Sequence, residues 1–191
     1  MTSVAIIYHS GFGHTQKQAE AILKGVLSVP NIQVELLPVD EAYNKIKELH
    51  EFDGMIFGTP TYMGSVSAEF KKFMDLSSSE WFVNAWKDKL AGGFTNSASL
   101  SGDKFSSLMQ LITFAAQHGM LWLPLGLSNE SAPLDRISGD VNAINRLGAS
   151  LGAVAQSEND SPDVTPTGGD LKTAELFGER FAMAAIRWTE S

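Results

Sequence analysis

The 191-residue chain has no cysteine, which removes disulfides, thiolate metal sites, iron–sulfur clusters and cysteine nucleophiles together. Basic residues are also in short supply. Fourteen Lys and Arg face 22 Asp and Glu, for a net charge of −8. An acidic surface repels nucleic-acid phosphates and the few cations form no cluster, so DNA or RNA binding is not expected. No apolar run is long enough to cross a bilayer. Met1-Thr2-Ser3 leads directly into the first apolar stretch, with no basic segment and no cleavage site. Membrane insertion is therefore not expected, and the cytoplasm is the expected location.

Apolar residues at 43% and charged residues at 19% exclude a disordered composition. The length fits one domain over residues 1–191. No internal repeat is visible. Val4–Tyr8 is continuously apolar, as in a strand buried on both faces of a parallel sheet. Ala19, Ile22, Leu23, Val26 and Leu27 then follow at helical spacing. Gln33–Val39 alternates and carries Pro38, which suits an edge strand. A short helix is expected over Glu41–His50, with Ala42, Tyr43, Ile46 and Leu49 inward. Met55–Phe57 reads as a third strand, and Val66, Phe70, Phe73 and Met74 as the inner face of a helix. Leu90–Phe94 reads as a strand interrupted by Gly92 and Gly93. Phe105, Leu108, Ile112 and Ala115 mark the next helix, ending near Gly119, and Met120–Leu123 a fifth strand. Leu171, Ala174, Phe177, Phe181, Ala184 and Trp188 line a last helix with Asp170 at its N-cap. Strands alternating with helices predict an α/β, doubly wound five-stranded parallel sheet of order 2-1-3-4-5. A long excursion, Gly126–Gly169, breaks the rhythm; segments of that length are functional or disordered.

In such a sheet ligands bind beyond the carboxyl ends of the strands. Three polar, Gly-bearing loops occupy that place. In the first, Ser10, Gly11, Phe12, Gly13, His14 and Thr15 precede a helix. Hydroxyls, glycines and unpaired helix N–H groups there can bind a phosphate without a Lys or Arg. The alternative is a plain strand-to-helix turn. Gln16 stands where a dinucleotide fingerprint needs its third glycine, and the chain has no Gly-Lys-Ser/Thr P-loop. The second loop, Gly58–Gly64, offers Thr61, Tyr62 and Met63 to a flat ring; the third, Thr95–Asp103, offers Thr95, Asn96, Ser97, Ser99 and Ser101. Their alternatives are a Pro/Gly turn and a loop leading to a helix cap.

The succession strand–SGFGHT–helix, FGTPTYMGSVSAEFKKFMD, an Asn/Ser/Gly loop and AAQHGMLWLPLG resembles the flavodoxin-fold NAD(P)H:quinone oxidoreductases, historically called Trp-repressor-binding proteins. The resemblance implies that Ser10–Thr15 hold the phosphate of FMN. It also implies that Thr61, Tyr62 and Met63 flank its isoalloxazine, with Thr95–Ser101 on the other side. His118 is implied to reach the flavin or its substrates, with Trp81 over the open ring face; a helix-end cap and ordinary packing are the alternatives. The chain departs from the family pattern in three places. Tyr62 and Met63 stand where an Arg and an aromatic are usual, the third loop is poorer in glycine, and no long insertion lies between Val39 and Met55.

The expected function is FMN-dependent passage of two electrons from NADH or NADPH to a quinone-like acceptor. A flavodoxin-like one-electron carrier and a flavin-binding interaction module are the alternatives. Thr59 stands where a receiver domain needs its phosphoacceptor Asp, and a small tyrosine phosphatase needs a cysteine. Leu127, Leu134, Ile137, Val141, Ile144 and Leu147 in the excursion predict a homo-oligomer interface.

Overall fold

The computed structural model describes residues 1–130 and 140–190. In chain order, the elements are β1 (Thr2–Tyr8), α1 (His14–Leu27), β2 (Ile32–Pro38), α2 (Val39–Asn44) and β3 (Gly54–Tyr62). They continue as β4 (Ser65–Val66), α3 (Ala68–Leu76), α4 (Ser78–Phe82), β5 (Leu90–Ser97) and α5 (Lys104–Gln117). β6 (Leu121–Trp122), β7 (Ala153–Gln156) and α6 (Gly168–Thr189) complete the set.

The sheet runs β2-β1-β3-β5-β6, with every pairing along that path parallel. The expected 2-1-3-4-5 order therefore holds, and Pro38 sits at the end of the edge strand. Alternate residues of the central strands serve opposite layers. Ala5, Ile7, Met55 and Phe57 pack with Phe70, Phe73, Trp86, Leu111 and Phe114 on the α3–α5 side. Val4, Ile6, Ile56 and Phe94 pack with Ile22, Val26, Phe177 and Phe181 on the α1–α6 side. Each such Val, Ile, Leu, Met or Phe side chain contributes on the order of 2 kcal/mol from apolar area alone.

The fifth position is a broken strand. β6 pairs with the start of β5 at Leu90 and Ala91, and β7 with its end from Phe94 to Ser97. The chain thus leaves the sheet after Trp122 and returns to the same edge, so the second half of the Gly126–Gly169 excursion contains a core strand. Four residues, Ala153–Gln156, carry too little side-chain pattern to announce it. Leu127 packs on the α1–α6 core and Leu147 on the α3–α5 core. Both are partly buried there, whereas Val141 is exposed; Leu134 and Ile137 lie outside the described residues.

Other expectations shift in register. β5 continues unbroken through Gly92 and Gly93, because a Cβ at Gly92 would stand 2.9 Å from Phe177 and one at Gly93 2.6 Å from Trp122. These glycines admit the rings of both layers. The second helix ends at Asn44, and a 3₁₀ turn at Leu49–Glu51 follows separately. On α5 the buried face is Leu108, Leu111, Phe114 and Ala115, while Phe105 is exposed. Asp170 is not an N-cap. Thr167 precedes α6, and Asp170 lies within its first turn as the buried partner of Arg146.

Candidate functional site

The carboxyl end of β1 delivers the first loop to the N-terminus of α1. Gly13, at φ 90°, turns the chain into the helix, in a conformation that an L side chain adopts only at a cost. Ser10 Oγ accepts from the N–H of Gly13 at 3.1 Å and of Gln16 at 3.2 Å. The hydroxyl thus gathers the opening of the helix around one point. Gly11 is required for proximity: a Cβ there would stand 2.5 Å from the Tyr62 hydroxyl.

The second loop is tighter than its sequence indicates. β3 extends to Tyr62 and folds back into β4 with Thr61 opposite Val66 and Tyr62 opposite Ser65. The two turn residues, Met63 and Gly64, both have positive φ, as a two-residue hairpin requires. Met63 is fully exposed at the tip, and Tyr62 is directed back, its ring edge-on to Phe12 with 6.4 Å between centroids. Burial, with Glu69 nearby, raises the Tyr62 phenol above its ordinary value and keeps its proton on.

Thr61 and Thr95 lie behind the site. Their hydroxyls are 2.8 Å apart, and Thr61 also reaches Ser107 Oγ at 2.8 Å. Both are buried, so their side chains tie β3, β5 and α5 together. Asn96 differs. Its Nδ2 donates to Ser157 Oγ at 2.8 Å, while its buried Oδ1 has no partner among the described residues.

Together these loops enclose a cleft of about 430 Å³, within the range of small-molecule sites. Ser10, Phe12, His14, Thr15, Tyr62, Asn96 and Ser97 line it, as does Ala98. Ser99 and Ser101 are exposed neighbours whose carbonyls turn to Lys104. Sequence reasoning missed the opposite wall, Ser157–Asp160, which follows the unrecognised β7. That segment is strapped to the first loop. His14 Nε2 meets the Asp160 carbonyl at 2.8 Å, Lys17 pairs with Asp163 at 2.9 Å, and Pro162 packs over Gly13.

His118 and Trp81 do not join this cleft. His118 caps the C-terminus of α5, where the chain enters β6 at the amino end of the sheet. The 14-residue helix separates it from the loops by about 20 Å. Its Nε2 meets Ser77 Oγ at 2.9 Å, its ring stacks on Trp86, and burial lowers its pKa to about 4. With Trp81 it borders a second cleft, of about 600 Å³, between α3–α4 and α5.

The first cleft has the features a flavin mononucleotide needs. At its Ser10–Gly13 end it offers helix N–H groups, a hydroxyl and a backbone that no Cβ obstructs. Its ring end offers aromatic edges and the unpartnered Asn96 oxygen. Comparison with known proteins agrees. Residues 14–131 match the NADPH-dependent FMN reductase family. The chain is 43% identical over 187 residues to flavodoxin FldP of Pseudomonas aeruginosa, covering 95% of this chain and 96% of that protein. It is 29% identical over 209 residues to an NAD(P)H dehydrogenase (quinone) of Geobacter sulfurreducens, covering 97% and 98% respectively. A crystal structure of a WrbA-like flavodoxin from Agrobacterium tumefaciens superposes with a TM-score of 0.74 at 38% identity, over 98% of this chain and 99% of that one. The chain belongs to the NADPH-dependent FMN reductase family, among the flavodoxin-fold NAD(P)H:quinone oxidoreductases that its sequence resembles.

Proposed function

We propose that residues 1–191 act as one FMN-binding domain whose first cleft holds the cofactor with its phosphate at Ser10–Thr15. The carrying observation is the hydroxyl of Ser10 drawing the Gly13 and Gln16 N–H groups together beneath an open helix N-terminus, with no Lys or Arg among the described residues that line the cleft. Such a site takes a phosphomonoester through backbone dipoles. The protein is an FMN-dependent oxidoreductase passing two electrons from NAD(P)H to a quinone-like acceptor.

Bound FMN supplies the redox chemistry, accepting electrons from the nicotinamide and passing them on. The chain's part is to bind, orient and shield. Asn96 offers its free oxygen to an N–H or hydroxyl of the cofactor. Tyr62, with its phenol protonated, and Phe12 set an aromatic border against which a nicotinamide or a quinone can stack. Ser157–Asp160 closes the opposite side.

Within one chain Trp81 and His118 stand too far away to share in this. Their place is the flavin of a neighbouring subunit in a homo-oligomer. The exposure of Trp81, Phe82 and Val83 on one helical turn supports such an assembly. No helix among the described residues is long and apolar enough to cross a membrane, and we place the protein in the cytoplasm, where its reductant is abundant.

The 43% identity to a protein named flavodoxin supports a second reading, a one-electron carrier that docks redox partners through an acidic surface. Adding FMN to the purified protein and mixing the complex anaerobically with NADH or NADPH, then with a benzoquinone, separates the two. Rapid reduction and reoxidation is the expected outcome. No reduction by either nucleotide, with FMN bound, assigns the protein to the carrier class.

A further inference from the structure

The third loop is held from behind from Ser97 to Ser101. The Ser97 carbonyl accepts from Ser157 N at 3.1 Å, and the Ala98 carbonyl from Gln156 Nε2 at 3.1 Å. The carbonyls of Ser99, Leu100 and Ser101 converge on Lys104 Nζ at 2.6, 3.1 and 3.5 Å. These successive oxygens all serve internal donors. In a planar trans peptide the N–H points opposite to the carbonyl. The N–H groups of residues 98–102 therefore face away from those anchors. None of them donates to a protein acceptor among the described residues.

Two buried cations produce this arrangement. Lys104 is 4% exposed and has no ion-pair partner among the described residues. It also stands in the first turn of α5, the positive end of the helix dipole. Each circumstance disfavours a cation, and a Met would fill the same space at less cost. Its carbonyl contacts are what the lysine adds. The charged groups acting on it are Asp170 of α6, which favours its charged form, and Arg146 of the excursion, which opposes it. Burial outweighs both and lowers its pKa to about 8.

Arg146 acts one residue further along. Asp170 grips it with two contacts of 2.8 Å and also accepts from Gln156 N at 2.9 Å. Arg146 Nη2 in turn reaches the Gln156 side-chain oxygen at 3.3 Å. A guanidinium only donates, so Gln156 must turn its oxygen to Arg146. Its NH2 group is left for the Ala98 carbonyl.

We propose that Lys104 and Arg146 are positioning residues for the cofactor: from behind the Ser97–Ser101 loop they fix its carbonyls inward, so that its N–H groups are presented to the electron-rich edge of a bound flavin. This rests on the assignment of the first cleft to FMN. Two cations against the single carboxylate of Asp170 also leave one net positive charge beneath the loop, which favours an anionic ligand. Because binding an anion favours the protonated lysine, FMN affinity is flat below about pH 8 and falls above it, by up to about tenfold per pH unit. The phosphate is already doubly ionised there, its second pKa being about 6.

The test is titration of FMN, followed by quenching of its fluorescence, into wild type, Lys104→Met, Lys104→Arg and Arg146→Met from about pH 7 to about pH 9.5, each variant first checked for fold by circular dichroism. The scale of the effect follows from the loss of charge-assisted hydrogen bonds. Lys104→Met should weaken binding about tenfold at pH 7 and abolish the alkaline fall. Lys104→Arg, which keeps its charge, should restore most of the affinity with a flat profile. Arg146→Met should weaken binding several-fold and retain the alkaline fall. A folded Lys104→Met protein with wild-type affinity and wild-type pH profile overturns the proposal, as does a Lys104→Arg protein that still loses affinity above pH 8. Wild type failing to bind FMN at any pH overturns the cleft assignment itself.

Discussion

The imidazole of His118 lies on the indole of Trp86, 4.2 Å between centroids and 26° from parallel, with its buried Nδ1 unpartnered among the described residues. A ring so placed is neutral in the folded protein, with a pKa near 4, against about 6.5 when unfolded. Between these values the unfolded chain binds the extra proton. The stability this group provides is complete above about pH 6.5 and drains away as the pH falls toward 4. Acidification from pH 7 to about 4.5 should cost on the order of 2 kcal/mol through His118 alone. Urea midpoints measured across that range, for wild type and His118→Gln, check this. The variant should lose most of the acid dependence that other groups do not supply; parallel curves would show that His118 is not the linked group.

At the proposed phosphate site, the backbone of Gly13 disfavours a side chain. Its φ of 90° and the 2.9 Å approach of Pro162 to a Cβ oppose any substitution. Gly13→Ala should destabilise the protein by about 1–2 kcal/mol. Gly13→Asp should do so and also set a carboxylate where an anion must approach. Equilibrium dialysis against FMN and riboflavin reads the effect. Wild type should prefer FMN, and Gly13→Asp should lose that preference along with most of its FMN binding. Equal FMN binding by both proteins would remove the phosphate from this loop.

The sheet order and the first loop were legible because their signals are local. Val4–Tyr8 is apolar throughout, and Ser10 and Gly13 stand directly before an amphipathic helix. β7 was not legible, since Ala153–Gln156 owes its place to pairing with Phe94–Ser97, far away in the chain. The wall at Ser157–Asp160 was lost with it. Nothing in the sequence shows that the Thr61 and Thr95 hydroxyls meet each other, because that contact joins two strands far apart in the chain. Nothing in the sequence tells the buried Lys104 from a solvated lysine.

The Arg146–Asp170 pair is buried, with side chains 7% and 2% exposed. Removing one member strands the other's charge. Asp170→Asn or Arg146→Met should each lower unfolding free energy by about 3 kcal/mol, and Arg146→Met combined with Asp170→Leu should recover part of that loss. Denaturant unfolding of the three variants at neutral pH supplies the comparison. Single-variant losses below about 1 kcal/mol would mean that water reaches the pair.

If Trp81 and His118 serve a neighbour's flavin, defects in the two clefts must complement each other. Gly13→Asp empties a subunit's own cleft but leaves its Trp81 intact; Trp81→Ala does the reverse. Each variant alone should turn over slowly with NAD(P)H and a quinone. Mixed, unfolded and reassembled together, they should regain a fraction of wild-type rate, because some flavin-bearing subunits then face an intact Trp81. Wild type should scatter light as an oligomer across the same concentrations. A monomeric mass, or mixtures no faster than the sum of their parts, would remove both residues from the reaction.

If the first cleft holds the flavin as proposed, one cleft must serve two planar substrates. Phe12 is 74% exposed and edge-on to Tyr62, so a single aromatic border is offered to whatever ring enters. A nicotinamide and a quinone cannot both lie against it at once. They must therefore take turns, and steady-state velocities plotted against both substrates should give parallel double-reciprocal lines. Phe12→Ala removes stacking worth about 1 kcal/mol, so it should raise KM for NAD(P)H and for quinone by a similar factor of about five. Intersecting lines, or a KM change confined to one substrate, would require two separate binding surfaces. A one-electron carrier departs from both patterns. Its bound flavin would be reduced by dithionite in two resolved one-electron stages, and its turnover with NAD(P)H would be negligible whether Phe12 is present or not.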